Sequence, residues 1–264
     1  SLDDFLNGIC CLYTDYDSSV NNLALRKLIK VVIFKGNEEK KIEAHKIYQL
    51  LLEKIPNLQD GEKPYVVRGI IRKRIWDCLR KLDQNSDYFS EAGQDMLVKD
   101  NFFKNHKSGF FIEIGAFDGI EGSNCYHFEK FMNWQGIAVE ASPSQFEKLK
   151  KNRNCKLMNV AIGSENKQVE FYEVTEGFTQ MSGINNLNFQ NSFQRIKKNS
   201  DSKINKIDIE CKTFDKLIPD DQIIDLISID IEGNEFEVLK SIDFDKYQIK
   251  VIIVENIVPN ELSY

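Results

Sequence analysis

Carboxylates recur in this sequence where short apolar runs end. The run at 109–114 leads into Glu113-Ile-Gly115-Ala116-Phe-Asp118-Gly119-Ile-Glu121-Gly122, and the run at 224–230 ends in Asp230-Ile-Glu232-Gly233-Asn-Glu235. Glycines let a backbone approach a ligand closely, so the first segment suits a cofactor. It is not the G-x-G-x-x-G of dinucleotide folds, and a pyrophosphate would meet the charges of Glu113, Asp118 and Glu121 at a Coulomb cost. S-adenosylmethionine, with a sulfonium and an ammonium, meets no such penalty and fits better than NAD. The segment reads equally as an ordinary acidic strand-to-helix turn. Glu140 ends the next apolar run, 25 residues after Gly115, where an acid hydrogen-bonds ribose hydroxyls in nucleoside-binding α/β domains. The second acidic segment crowds Asp230, Glu232 and Glu235 into six positions. A carboxylate there can take the proton of an attacking hydroxyl. The same acids suit a divalent cation through oxygen ligands, or the amino terminus of a helix. Asp230 and Glu232 are the leading base candidates, with Glu235 and Glu255 behind them.

These residues need a frame that brings strand ends together. The apolar periods predict strands at 109–114, 136–140, 156–162, 169–174, 207–213, 224–230 and 250–255. Helices are predicted at 123–132, from Pro143, and at 235–242. Strands alternating with helices imply an α/β fold with a doubly wound, mostly parallel sheet, whose ligands bind beyond the carboxyl ends of the strands. Residues 176–205 are polar, with weak periodicity, and read as a long lid or binding loop. Its Arg195, Lys197 and Lys198, with Lys203 and Lys206, suit a clamp on a diphosphate. Residues 1–88 read as a helical region, with stripes at 21–34, 38–55 and 64–82. The third stripe opposes Val67, Ile71, Ile75 and Leu79 to Arg68, Arg72, Lys73 and Arg80, a pattern that fits a solvated face. Apolar stripes need a partner surface, either the following domain or a second copy in a homo-oligomer.

The 264 residues carry 35 Lys+Arg against 41 Asp+Glu, a net charge of −6 that disfavours nucleic acid as the main partner. Apolar runs such as Val31-Val32-Ile33-Phe34 are too short to span a bilayer. The opening SLDDFLNG has no basic segment followed by an apolar stretch. The 6 cysteines form no C-x-x-C pair, so reduced thiols and a cytoplasmic setting are expected. Asp15-Tyr16-Asp17 has the form of a D-x-D metal motif but no α/β context, and His45, His106 and His127 stand apart, His127 on a helix surface.

FIEIGAFDGIEGSN, GIAVEASP, LMNVAIG, SIDIEGNEFEVLKSI and VIIVEN, in that order, closely resemble the FkbM-type S-adenosylmethionine-dependent methyltransferases. The resemblance covers residues 90–256 and includes the lead-in Gln94-Asp95. It implies a class I methyltransferase fold over residues 89–264, and O-methylation of a sugar hydroxyl on a small molecule, nucleotide sugar or surface glycan. It places Gln94, Asp95, Glu113, Gly115, Ala116, Asp118, Glu140 and Asp230 at the cofactor, with Ser123, Asn124 and Ala161 as further contact positions, and turns the Asp230–Gly233 segment toward the acceptor. The family fold adds two strands after position 255, for which the 9 residues that follow leave no room. The expectation is a shortened chain or a differently closed sheet. A methyltransferase-like scaffold without catalysis is the alternative. A nicotinamide-dependent sugar-modifying enzyme is disfavoured by the missing fingerprint.

Overall fold

The computed structural model describes residues 87–91, 93–186, 189–198, 202–219 and 222–255. The helical stripes and basic face expected before residue 83, Asp15, Asp17, His45, and any strand after Glu255 lie outside these residues.

The chain enters through α1 (Gln94–Phe102), then β1 (Phe110–Ile114), α2 (Tyr126–Met132), β2 (Gln135–Val139), α3 (Pro143–Asn152) and β3 (Lys156–Met158). After an excursion it returns through β8 (Ile224–Ile229), α5 (Glu235–Ser241) and β9 (Ile249–Val254). The strands form one parallel sheet in the order β3-β2-β1-β8-β9. This is the doubly wound α/β arrangement expected. All six residues of β8 and the last four of β1 are buried. A parallel sheet covered on both faces shows continuous apolar runs without alternation. The core joins Ile112, Ile114, Ile137, Val139, Ile227 and Ile229 to Val238 of α5. Phe111, Phe128 and Trp134 fill a second cluster with Phe103.

The excursion is a second sheet, ordered β4-β7-β5-β6. Its strands are β4 (Ala161–Ile162), β5 (Lys167–Glu176), β6 (Gly183–Ile184) and β7 (Lys203–Lys212). The strand expected over 156–162 therefore divides. Asn159 donates through Nδ2 to the carbonyls of Glu140 and Ala141, and the chain crosses from one sheet to the other there. β5 and β7 pair antiparallel from Lys167–Cys211 to Glu176–Lys203, beside the mostly parallel sheet expected.

The polar segment after β5 is also more ordered than its composition predicts. It holds a 3-10 turn (Thr179–Met181), β6 and α4 (Phe189–Lys198). Met181, Phe189 and Ile196 are buried against Val174, with Tyr172 and Phe193 packed around them. Phe189, Phe193 and Ile196 follow the i, i+4, i+7 spacing of a helix face, a signal diluted by the Asn, Gln and Lys between them. Lys203 pairs with Glu176, and Lys206 with Glu170, across the β5–β7 ladder. These two cations of the expected diphosphate clamp thus sit in exposed cross-strand pairs. Among the described residues no helix is long and apolar enough to cross a membrane.

Candidate functional site

β1 pairs with β2 on one side and with β8 on the other, so the strand order reverses between β1 and β8. The crevice at such a switch point is where open α/β sheets bind ligands. Gly115 ends β1 at φ +86, and a Cβ built there would stand 1.7 Å from the Asp230 carbonyl oxygen. Only glycine lets the turns after β1 and β8 meet. Gly115 and Ala116 both donate to the Val139 carbonyl, and Asp230 N–H donates to Ile114. Both turns carry a non-glycine residue in the left-handed region, Phe117 at φ 51 and Glu232 at φ 58. Each such residue costs roughly 1–3 kcal/mol, and such strain clusters at ligand sites.

Glu140 stands at the end of β2 and is 8% exposed. Its Oε2 accepts Phe117 N–H at 2.8 Å and its Oε1 accepts Ser142 N–H at 2.7 Å. Burial pushes its carboxyl up to about 7, against the pull of these backbone donors and with a further push from Glu173. Each carboxylate oxygen accepts more than one hydrogen bond, so capacity remains for a ribose hydroxyl.

Glu113, near the end of β1, is held by partners within the protein. It is 2% exposed. Its Oε1 accepts Ser123 Oγ at 2.7 Å, Asn124 N–H at 2.9 Å and Cys125 N–H at 3.3 Å, while Oε2 pairs with Arg153 Nη1 at 2.7 Å. Arg153 also bonds Glu129 through Nε at 2.5 Å and the Gly119 carbonyl through Nη1 at 3.1 Å. Asp118 Oδ1 accepts the N–H groups of Ile120 and Glu121 at 2.9 and 2.8 Å. The charge repulsion expected from three loop carboxylates is thus largely spent inside the protein: Glu113 and Asp118 shape the loop. Asp95 is a similar clamp. Fully buried, it accepts Phe89 N–H, Ser90 N–H, Ser90 Oγ and Met96 N–H, and Ser90 bridges to Gly122. Burial raises its carboxyl despite these donors. Gln94 precedes it at the start of α1.

Ser123 and Asn124 are 4% and 6% exposed behind the glycine loop. Asn124 Nδ2 donates to Ser228 Oγ at 3.0 Å, while its buried Oδ1 has no hydrogen-bond partner. Ala161 lies in β4, paired with Cys211 in the second sheet. Asp230 is exposed and Glu232 half-buried. Glu235, expected as a reserve base, folds back on its own turn: its carboxylate accepts the N–H groups of Ile231 and Gly233. Glu255 is exposed just after β9, where its N–H donates to Ile229. Among the described residues no group of three or more His, Cys, Asp or Glu is arranged to hold a metal ion.

Sequence reasoning missed Arg153, Glu129, Glu173 and Asn234. Arg153 closes a helix in a polar stretch, and nothing local marks its burial. Asn234 Nδ2 donates to the Ile162 carbonyl while its Oδ1 accepts Asn186 Nδ2, tying the acid turn to the second sheet and to the segment before α4. His127, expected on a helix surface, is 5% exposed. It stacks on Tyr88 at 4.6 Å, with Nδ1 2.7 Å from the Asp87 carbonyl oxygen. Cys125, Cys155 and Cys211 are free thiols.

The donor set fits S-adenosylmethionine. A buried carboxylate ends β2 for a ribose, the unsatisfied Asn124 Oδ1 lies behind the glycine loop, and acids end β8 and β9 for a cationic group. A parallel sheet in the order β3-β2-β1-β8-β9, with a glycine turn after its first strand, is a Rossmann-like fold. Residues 113–261, more than half of the chain, match the Methyltransferase FkbM domain, and the chain belongs to that family. No curated relative matches significantly. Among solved structures, methyltransferase FkbM from Methylobacillus flagellatus KT aligns at 14% identity with a TM-score of 0.34, over 76% of this chain and 44% of that one. This chain thus spans less than half the length of that protein.

Proposed function

We propose that this protein is an S-adenosylmethionine-dependent O-methyltransferase acting on a sugar hydroxyl of a nucleotide sugar or surface glycan. The observation that carries the reading is the contact at the switch point, where the glycine turn after β1 touches the Asp230 backbone. It supports a nucleoside seat at Glu140 and the Gly115–Phe117 turn beside the acids of β8. When bound, S-adenosylmethionine supplies an electrophilic methyl group. The protein's own residues orient and deprotonate. Glu140 accepts from ribose hydroxyls and Asn124 Oδ1 from a donor group. Asp230 accepts the proton of the acceptor hydroxyl, with Glu232 and Glu255 as neighbouring acids and Glu235 holding the turn. Free thiols among the described residues support a reducing, cytoplasmic setting.

Calorimetric titration with S-adenosylhomocysteine and NAD side by side tests the seat, and micromolar binding of the former alone is expected. Methyl transfer is then screened by mass spectrometry over nucleotide sugars. Asp230→Asn should lower turnover roughly 10²-fold or more while leaving cofactor affinity within a few-fold. Binding without transfer to any hydroxyl acceptor would identify a scaffold instead. Binding of NAD alone would refute the cofactor assignment.

A further inference from the structure

The second sheet reaches the nucleoside side of the main sheet through Glu173 of β5. This residue is 6% exposed, and its Oε1 accepts two bonds, from Ser142 Oγ at 2.9 Å and from Ser144 N–H at 2.9 Å. Ser142 is the amino-terminal cap of α3, its Oγ accepting Gln145 N–H at 3.4 Å. Its own N–H donates to Glu140 Oε1 at 2.7 Å. Cap, helix start and Glu140 are therefore held by one carboxylate from another sheet. A hydroxyl has one proton to give, and Ser142 gives its proton to Glu173. That fixes the rotamer of the cap and the direction of the backbone N–H that aims at Glu140.

We infer that Glu173 is a positioning residue for the nucleoside cofactor, setting the orientation of Glu140 through Ser142 and placing a second carboxylate beside it. The inference rests on the reading of the switch-point crevice as an S-adenosylmethionine seat, and adds a residue that no loop motif contains.

The electrostatics agree with the geometry. Burial works against the Glu173 charge, but bonds from Ser144, Ser142 and Asn205 outweigh it and hold the carboxyl below the usual range. The start of α3 favours a negative charge as well. The groups acting on Glu140 are the backbone donors of Phe117, from the β1 turn, and of Ala141 and Ser142, from the β2–α3 corner, together with the charge of Glu173 from β5. Glu173 thus makes Glu140 harder to ionise while holding in place a bond that favours its ionised form.

Two substitutions separate charge from position. Glu173→Gln keeps an acceptor oxygen for Ser142 and Ser144 and removes the charge. Glu173→Ala removes both. Carboxyl-carbon NMR of the ligand-free protein follows the titration of Glu140, and calorimetry at pH 8 measures S-adenosylhomocysteine affinity. The Glu140 midpoint should move down in Glu173→Gln, which removes the charge and keeps the acceptor. At pH 8 affinity should stay within about two-fold of wild type in Glu173→Gln and fall about ten-fold in Glu173→Ala, the scale of losing one hydrogen-bonded anchor. An unchanged Glu140 midpoint in Glu173→Gln overturns the inference, and that variant decides the matter if Glu173→Ala fails to fold. Equal affinity of Glu173→Ala and wild type also overturns it. A wild-type protein that binds no S-adenosylhomocysteine overturns the cofactor reading and the positioning role with it. A shifted Glu140 midpoint in that case would show an electrostatic coupling between two carboxylates and nothing more.

Discussion

Arg153→Met is the substitution to which the structure assigns the largest effect without touching ligand. The Arg153 side chain is fully buried, between Glu113 at 3% and Glu129 at 10% side-chain exposure. Its guanidinium also sits 5.3 Å from the Phe111 ring and 5.5 Å from the Tyr126 ring. Burial opposes its charge, but Glu113, Cys155 and Glu129 outweigh that, so its proton is held more tightly than usual. Methionine fills similar apolar volume and leaves two carboxylates without their cation. Removing one partner of a buried ion pair costs about 3–5 kcal/mol, out of the 5–15 kcal/mol typical of a folded domain. With a urea slope near 2 kcal/mol per molar, the midpoint of unfolding should fall by roughly 1.5–2.5 M. Adding Glu113→Gln should restore about half of the loss, because one of the two stranded charges is gone. The pH dependence supplies a second check. Burial pushes the Glu129 carboxyl up, and Arg153 more than offsets this, leaving it below the ordinary 4.5. A lowered carboxyl contributes stability that is present above pH 4.5 and is lost as pH falls through the folded value. That contribution requires Arg153, so the gap between wild type and variant should narrow below pH 4.5. A midpoint within 0.5 M of wild type, roughly 1 kcal/mol by the same slope, would refute the claim that this triad holds the glycine loop.

Gly115→Ala should unfold the strand end or abolish cofactor binding, with a stability loss on the order of 3 kcal/mol or more by thermal unfolding. Its Cβ would meet the Asp230 carbonyl at 1.7 Å, in a backbone at φ +86 that an L-residue strains to adopt. S-adenosylhomocysteine affinity should fall as pH is lowered through about 7, where Glu140 takes up a proton, by up to about ten-fold per unit, and Glu140→Gln should remove this dependence in calorimetry. The same raised carboxyl means Glu140 binds its proton more tightly in the folded state between 4.5 and about 7, so Glu140 should add on the order of 3 kcal/mol to the ligand-free protein on acidification across that window, read as the difference between wild type and Glu140→Gln in urea unfolding at each pH. Asn234→Ala frees Asn186 and the Ile162 carbonyl, and should speed hydrogen exchange across residues 183–198 while costing about 1–2 kcal/mol of stability.

The main sheet was legible because its strands are buried on both faces and therefore appear as unbroken apolar runs at 110–114 and 224–229. The second sheet was only half legible. Its antiparallel strands alternate, as Ile207, Ile209 and Cys211 do in β7, but nothing local says whether such a strand pairs parallel or antiparallel, or in which sheet. α4 escaped because Phe189, Phe193 and Ile196 stand among polar residues, and three anchors in ten positions fall below what a periodicity reading separates from a loop.

The acids show where reading by residue type stops. Glu113, Asp118, Glu140, Asp230 and Glu235 were alike in the sequence: carboxylates at or just past strand ends. What separates them is the company of each oxygen, and that is a long-range property. Glu113 meets Arg153, 40 positions away, and Glu140 answers to Glu173 through Ser142. A buried carboxylate is tolerated only when donors surround it. Hence Glu113 and Glu235 are engaged within the protein, and under the proposed function an acid that acts must be open at the crevice. Asp230 meets that condition as an exposed acid at the switch point. Glu140 meets it in part: its backbone donors fix its direction, while burial holds its carboxyl near 7, where a small change in its surroundings alters its charge. Depth alone does not sort these acids, since Glu140 and Glu235 are both 8% exposed; the partners of each oxygen do.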